Sequence, residues 1–93
     1  MNIQFSDEAD KELKEWLKSS KSTAKKIYEL IGDIKKYGVL GGRGKPEQLK
    51  HHKNPPKYSR HITKGDRLVY RPYIEVNDKD LLIISCKGHY DDT

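Results

Sequence analysis

Residues 81–86 read Leu81-Leu82-Ile83-Ile84-Ser85-Cys86, an apolar run in a chain that is otherwise strongly polar. The run does not alternate between apolar and polar residues, which is typical of a strand that is buried on both faces. We therefore predict that this strand lies at the centre of a small sheet and that the rest of the chain folds around it. Lys87-Gly88-His89-Tyr90 follows directly, so a histidine and a tyrosine leave the end of the strand.

The length of 93 residues allows one domain with one two-layer core, which we assign to residues 1–93. Hydrophobic residues make up 33% of the chain, but they are grouped in periodic segments, which favours a folded domain over disorder. Cys86 is the only cysteine, so an internal disulfide is excluded and a reducing compartment is expected. The sequence contains no signal segment and no apolar stretch of transmembrane length, and the expected location is the cytoplasm.

The net charge of +5 is concentrated in the middle of the chain. Residues 35–71 carry eleven Lys and Arg side chains against two acids, whereas residues 1–34 and residues 72–93 have a small net negative charge. A dense positive region is the pattern expected for a polyanionic partner, above all nucleic acid. A solvated basic surface without a partner is the alternative, and the charge pattern alone leaves both open.

Periodicity predicts the elements of the first half of the chain. Residues 2–5 alternate and suit a short edge strand, and Ser6 suits the N-cap of a first helix. A second helix is predicted from about residue 23 to residue 37, ending at Gly38. The residues assigned to the buried faces of the two helices are Ala9, Leu13, Trp16, Leu17, Ala24, Ile27, Tyr28, Leu30, Ile31 and Ile34.

The segment from residue 38 to residue 57 is rich in glycine, proline and lysine and predicts a long loop. Two alternating strands follow at 58–63 and 67–73, and a polar turn leads from the second of them to the apolar run. The predicted order is β-α-α-β-β-β, an α+β fold in which two N-terminal helices pack on one face of a small, mainly antiparallel sheet. Alternation places Leu68 and Tyr70 on one face of their strand and Arg67 on the other, with Tyr70 expected in the core.

Three polar residues, Glu47, Arg67 and His89, lie at positions that this fold exposes. A carboxylate, a guanidinium and an imidazole among many cations fit metal-independent phosphodiester transfer on RNA. In that reaction a base removes the 2′-OH proton, the alkoxide attacks the adjacent phosphorus, and an acid protonates the departing 5′ oxygen. An arginine would stabilise the charge on the phosphorane, because its bidentate fork matches phosphate oxygens.

Each of the three residues also has a simpler explanation. Glu47, flanked by Lys45 and Lys50, fits a loop carboxylate in surface ion pairs. Arg67 fits a phosphate-positioning cation or a partner in a cross-strand ion pair. His89 fits an ordinary surface histidine, although its ordinary pKa near neutrality suits proton donation.

Metal binding and base stacking are the other chemistries that the residues suggest. Adjacent histidines such as His51 and His52 point in divergent directions along an extended chain, and no carboxylate or cysteine lies at ligand spacing, so we expect neither a metal nor a cofactor. Among the tyrosines, Tyr90 is the best candidate for stacking on a base.

Four segments carry a more specific signal: Gly44-Lys45-Pro46-Glu47-Gln48-Leu49-Lys50-His51, Tyr58-Ser59-Arg60-His61-Ile62-Thr63, Arg67-Leu68-Val69-Tyr70 and Cys86-Lys87-Gly88-His89-Tyr90. In this order they closely resemble the YoeB/Txe branch of the RelE toxin superfamily, and the similarity extends over nearly the whole chain. The resemblance implies a RelE-like fold and an endoribonuclease toxin of a type II toxin-antitoxin system. Such toxins cleave messenger RNA in the A site of the 70S ribosome through a 2′,3′-cyclic phosphate, and thereby inhibit translation.

The resemblance also implies roles and partners. Glu47 would be the general base, Arg67 the transition-state stabiliser and His89 the general acid, while Tyr90 would position the substrate. The other implied substrate contacts are Lys45, Lys50, Arg60 and His61. The implied partners are a YefM/Axe-like antitoxin, the ribosome with its messenger RNA, and a second copy of the chain in a homodimer.

The sequence departs from the family pattern at three places. His61 stands where the family usually has arginine, Gly88 replaces a bulkier residue, and Asp91-Asp92-Thr93 extends the chain beyond Tyr90. Two other functions stay open at this point. One is a non-catalytic, basic nucleic-acid-binding module, and the other is an interaction protein that acts in a toxin-antitoxin repressor complex.

Overall fold

The computed structural model describes residues 1–53, 55–77 and 79–88. The elements in chain order are β1 (Ile3–Phe5), α1 (Asp7–Ser19), α2 (Lys21–Tyr37), β2 (Glu47–Lys53), β3 (Pro56–His61), β4 (Arg67–Pro72) and β5 (Leu81–Ser85). The two helices lie between β1 and β2 in the chain, and the five strands form one sheet with the order β1-β5-β4-β3-β2. The β1–β5 pair is parallel and the other three pairs are antiparallel, which confirms the α+β fold with a mainly antiparallel sheet.

The central strand of the sheet is β4, whereas the sequence predicted the apolar run for that place. The run forms β5, which pairs with β1 on one side and with β4 on the other. Its burial alternates, because Leu81 and Ile83 are buried in the core and Leu82 and Ile84 are half-buried on the opposite face. The prediction of burial on both faces is therefore wrong, since the helices cover one face of this strand and the other is only partly covered.

The helices begin and end close to the predicted positions. Ser6 caps α1 by accepting a hydrogen bond from the Ala9 N–H (3.0 Å), and α2 starts directly after Ser20. Trp16 packs against the core as predicted. Tyr28 is 52% exposed and Leu17 is 42% exposed, so their assignment to the core is wrong. They line a surface groove between the helices. The residues of α2 that pack in the core lie on a neighbouring side of that helix.

Strand β2 occupies a region that the sequence predicted as loop. It lies at the edge of the sheet and pairs with β3, with Glu47 opposite Ser59 and Gln48 opposite Tyr58. Edge strands commonly carry charged residues, which discourage pairing with other chains. A strand of this kind lacks apolar alternation, and β2 contributes a single buried hydrophobic residue, Leu49.

Alternation along the strands separates a core face from an open face. Tyr58, Tyr70 and Ile83 form one row across β3, β4 and β5 on the face that the helices cover. Residues one position away must point to the opposite side of the sheet. The predicted placement of Leu68 and Tyr70 on the core face is confirmed, and Arg67 consequently lies on the open face.

Candidate active site

The strand order brings four chain segments to one corner of the sheet. The start of β2, the end of β3, the start of β4 and the residues that follow β5 all lie there. Gly44 O accepts a hydrogen bond from His61 N (2.7 Å), His61 is the cross-strand partner of Arg67, and Arg67 N donates to Gly88 O (3.0 Å). Segments from distant parts of the sequence therefore meet at this corner.

Glu47 and Arg67 point to the same face of the sheet. Glu47 is in register with Ser59, which is in register with Val69, and side chains of directly opposed residues share a face. Arg67 lies two residues before Val69 and so projects from that face as well. Strand spacing puts the two Cα atoms about 12 Å apart. Side chains of this length can approach a common ligand from its two sides, and the Glu47 side chain is exposed.

The Arg67 side chain folds back on the turn that precedes it. Its Nη1 lies 3.3 Å from the carbonyl oxygens of Lys64 and Asp66 and 3.5 Å from that of Thr63. These long contacts keep the guanidinium at the edge of the corner. The residue is half-buried, which limits the hydration of its charge and favours interaction with an anion.

Asp66 organises this turn and is a residue that the sequence reasoning did not single out. Its Oδ2 accepts from Thr63 Oγ1 (2.6 Å) and its Oδ1 accepts from Gly88 N (2.7 Å). The carboxylate thereby joins the β3–β4 turn to the segment that follows β5. The sequence Lys64-Gly65-Asp66 is typical of a turn. The bond from Asp66 to Gly88 has no sequence signal, because it depends on the strand order.

Lysines surround a surface depression beside this corner. The depression has a volume of about 410 Å³, and Lys26 of α2, Lys45 and Lys64 contribute to its lining together with His61. Lys50 lies farther along β2 and is also exposed. The predicted substrate contacts Lys45 and His61 are therefore brought together, and Lys26 and Lys64 join them from elements that the sequence did not connect with the site.

Arg60 lies in the interior, on the core face of β3. The side chain is fully buried, with Nε donating to Tyr70 Oη (2.8 Å), Nη1 to Arg43 O (2.9 Å) and Nη2 to Gly38 O (2.9 Å). Tyr70 Oη in turn donates to Val39 O (2.6 Å). The phosphate contact expected at Arg60 is not compatible with this position. The residue instead holds the glycine-rich segment against the sheet.

The same segment is anchored to α2 by an ion pair. Asp33 accepts from Arg43 N (2.8 Å), Nε (2.9 Å) and Nη2 (3.1 Å), and these bonds lower the pKa of Asp33 to about 2. Gly42 and Gly44 both have φ near +90°, and an added Cβ at Gly42 would lie 2.8 Å from Asp33 Cβ. Glycine is therefore required where the segment turns against the helix. The anchored segment leads directly into Glu47.

A family model described as the YoeB-like toxin of bacterial type II toxin-antitoxin systems matches residues 5–90. The chain belongs to this family. The match confirms the resemblance that the four sequence segments indicated.

Curated relatives of this YoeB-like toxin cover almost its whole length. The chain is 40% identical over 90 residues to the toxin YoeB of Escherichia coli K12, with 97% of the chain and 100% of the relative covered. It is 34% identical over 90 residues to the toxin YoeB of Streptomyces coelicolor, with the same coverage.

Solved structures agree with the family and with the fold. The structure of a YoeB dimer from Staphylococcus aureus matches with a TM-score of 0.82 and 43% identity, over 97% of this chain and 98% of that one. A heterotetrameric YoeB-YefM toxin-antitoxin complex from the same organism matches with a TM-score of 0.81 and 41% identity at the same coverage. The RelE-like arrangement predicted for the chain is confirmed.

Two residues of the predicted site, His89 and Tyr90, lie outside the described residues, as does the tail Asp91-Asp92-Thr93. Gly88 directly precedes His89 in the sequence and is itself bonded to Asp66 and Arg67. Within residues 1–53, 55–77 and 79–88, no group of three or more His, Cys, Asp or Glu side chains is arranged to hold a metal ion. In the same part of this YoeB-like toxin, no helix is long and apolar enough to span a bilayer.

Proposed function

We propose that the chain is a ribosome-dependent endoribonuclease toxin that cleaves messenger RNA by metal-independent acid/base transfer and so inhibits translation. Glu47 is the general base that removes the 2′-OH proton, and the alkoxide attacks phosphorus to form a 2′,3′-cyclic phosphate. Arg67 stabilises the charge that develops on the phosphorane oxygens. His89 is the general acid that protonates the departing 5′ oxygen.

The observation that carries this proposal is the convergence of Glu47, Arg67 and Gly88 on one corner of the sheet. Glu47 and Arg67 project from the same face, and Arg67 N is bonded to Gly88 O at 3.0 Å, one residue before the proposed acid. General acid-base catalysis needs the base and the acid on opposite sides of the scissile phosphate. A base from β2 and an acid that follows β5 approach from two different strands, with Arg67 on a strand between them.

We assign the basic depression to the RNA backbone. Lys26, Lys45 and Lys64 with His61 line a surface that adjoins the corner, and Lys50 extends the positive charge along β2. Phosphate contacts position an RNA strand without reading its sequence. Tyr90 is the proposed stacking partner of a base, since aromatic side chains bind unstacked bases in single-stranded RNA.

The proposed partners follow from the family and from the surface charge. We propose an antitoxin of the YefM/Axe kind, by analogy with the Staphylococcus aureus YoeB-YefM complex, and a homodimer by analogy with the YoeB dimer. A basic surface fits an acidic antitoxin segment that competes with RNA for the same lysines. The site of action is the ribosome, which places the protein in the cytoplasm.

Cleavage of a translated messenger RNA, mapped by primer extension with and without 70S ribosomes, tests the proposal. We expect new 5′ ends within codons in the ribosome reaction. Cleavage by Glu47→Gln should be at least roughly 10²-fold slower, because loss of a general base costs about 10²–10⁴-fold. Glu8→Gln is the matched control, because Glu8 is an exposed residue of α1 outside the corner. Cleavage by Glu47→Gln and His89→Ala at the wild-type rate would contradict the assigned mechanism.

The second candidate is a non-catalytic nucleic-acid-binding module of a toxin-antitoxin repressor complex. The concentration of lysines on one surface is the observation that favours it. This function predicts RNA or operator DNA binding that falls steeply with salt and is indifferent to Glu47→Gln. Absence of ribosome-dependent cleavage combined with salt-sensitive binding would favour this candidate over the first.

A further inference from the structure

Side chains of α1 hold the backbone of Cys86, the residue that directly follows β5. Glu12 Oε1 accepts a hydrogen bond from Cys86 N (2.7 Å), and Trp16 Nε1 donates one to Cys86 O (2.8 Å). The partners are about 70 residues apart in sequence. Cys86 has left the strand ladder, so these two bonds replace those that a neighbouring strand would provide.

The β3–β4 turn holds the same segment from the other side. Asp66 Oδ1 accepts from Gly88 N (2.7 Å), and Arg67 N donates to Gly88 O (3.0 Å). Gly88 has φ of +80°, a conformation that favours glycine. The backbone N–H and C=O of Cys86 are therefore bonded by side chains of α1, and those of Gly88 by Asp66 and Arg67. We call these four hydrogen bonds on residues 86–88 the clamp.

Glu12 makes its bond to Cys86 N from a partly desolvated position. Burial raises the pKa of Glu12 above its ordinary value, although the hydrogen bond from Cys86 N acts in the opposite direction. A carboxylate with a raised pKa is less stable in its charged form than it would be in water.

We propose that Glu12 and Trp16 are positioning residues for the cleavage reaction, which they serve by fixing residues 86–88 and hence the point from which His89 enters the active site. This inference rests on the proposed function. Both act through their bonds to the backbone of Cys86. Lys87, whose Nζ lies 5.4 Å from the centroid of the Trp16 ring and 3.6 Å from Glu15 Oε2, packs on the same helix and closes the clamp.

Substitutions that remove one bond test the role of the clamp; those at Glu12 keep the side-chain volume, whereas the one at Trp16 also shortens the ring. Trp16→Phe removes the Nε1–H donor, Glu12→Met removes the acceptor, and Glu12→Gln restores an acceptor oxygen. We expect kcat on programmed ribosomes to fall roughly tenfold to a hundredfold for the first two variants, with KM within about twofold, because small displacements of a catalytic group cost factors of this size. Glu12→Gln should recover most of the rate. Glu8→Gln, on the same helix, is the control.

Amide hydrogen exchange separates failure of this inference from failure of the proposed function. The Gly88 amide should exchange at least tenfold faster in Glu12→Met than in the wild type, while amides in the centre of β4 keep their protection. Faster exchange at Gly88 with an unchanged kcat would overturn the positioning role, and unchanged exchange would overturn the clamp itself. Wild-type cleavage by Glu47→Gln would instead refute the mechanism on which the inference rests.

Discussion

The hydroxyl of Tyr70 offers a clean test of the network that holds the glycine-rich segment. It accepts from Arg60 Nε at 2.8 Å and donates to Val39 O at 2.6 Å, and the ring is fully buried against Tyr58. Tyr70→Phe keeps the ring and its packing and removes the oxygen alone. Any loss of stability therefore reports the two hydrogen bonds.

The expected loss follows from the two groups that the substitution leaves without a partner. Arg60 Nε loses its acceptor, and a hydrogen bond to a charged group contributes about 1.5–3 kcal/mol. Val39 O loses a donor, which costs about 1–3 kcal/mol where water cannot replace it. We expect a loss of about 2.5–6 kcal/mol from a total free energy of unfolding of about 5–14 kcal/mol for a domain of this length. The melting temperature should fall by at least about 8 °C.

Thermal and urea unfolding followed by circular dichroism measure this loss directly. Tyr28→Phe is the matched control, because Tyr28 is 52% exposed and its substitution should change the free energy of unfolding by less than about 0.5 kcal/mol. A melting temperature of Tyr70→Phe within about 2 °C of the wild type would refute the reasoning. It would mean that the buried Arg60 guanidinium finds other acceptors and that the segment does not depend on this network.

Three further outcomes are expected. The pKa of Asp33 falls from 3.8 to about 2 on folding. Its contribution to stability should therefore be complete above about pH 4 and should disappear as the pH falls towards 2. Asp33→Asn should remove this part of the pH dependence, as measured by thermal unfolding. Burial raises the pKa of the Cys86 thiol to about 12, so a thiol reagent at pH 8 should label it in urea and leave it unmodified in the native protein; rapid native labelling would contradict its burial. Lys64→Ala should reduce the slope of log K against log salt for single-stranded RNA by about 0.7, whereas Lys79→Ala, in the turn between β4 and β5, should not.

The helices and the core face of the sheet could be predicted because each depends on a local period. Apolar spacing located α1 and α2, and alternation placed Leu68 and Tyr70 in the core. The same local rules failed for β2, since an edge strand of charged residues has no apolar period. They also failed for Tyr28, because a stripe on a helix does not reveal how far the neighbouring helix covers it.

The site was only partly predictable, because its geometry depends on strand order and register. Sequence reasoning named Glu47 and Arg67, but their shared face follows from the pairing of β2 with β3, which was not predicted. Arg60 illustrates the opposite case, since the family resemblance implied a phosphate contact whereas alternation along β3 gives Arg60 the same face as Tyr58. Alternation decides the matter, as a residue on the core face of β3 cannot reach a ligand on the open face.

An irregularity in the β4–β5 pair explains how a buried cysteine can lie next to the corner that forms the candidate site. Val69 pairs with Ser85 but Tyr70 pairs with Ile83, so β5 contains one extra residue at this point. In a regular ladder Cys86 would share the open face with Arg67, because side chains alternate strictly. The extra residue reverses the alternation, turning Ser85 to the open face and Cys86 to the core, where its Sγ lies 3.5 Å from Ala9 O. Such bulges redirect side chains next to functional sites. Here the bulge brings the Cys86 backbone within hydrogen-bonding distance of Glu12 and Trp16 on α1. Two residues later, Gly88 O accepts the hydrogen bond from Arg67 N.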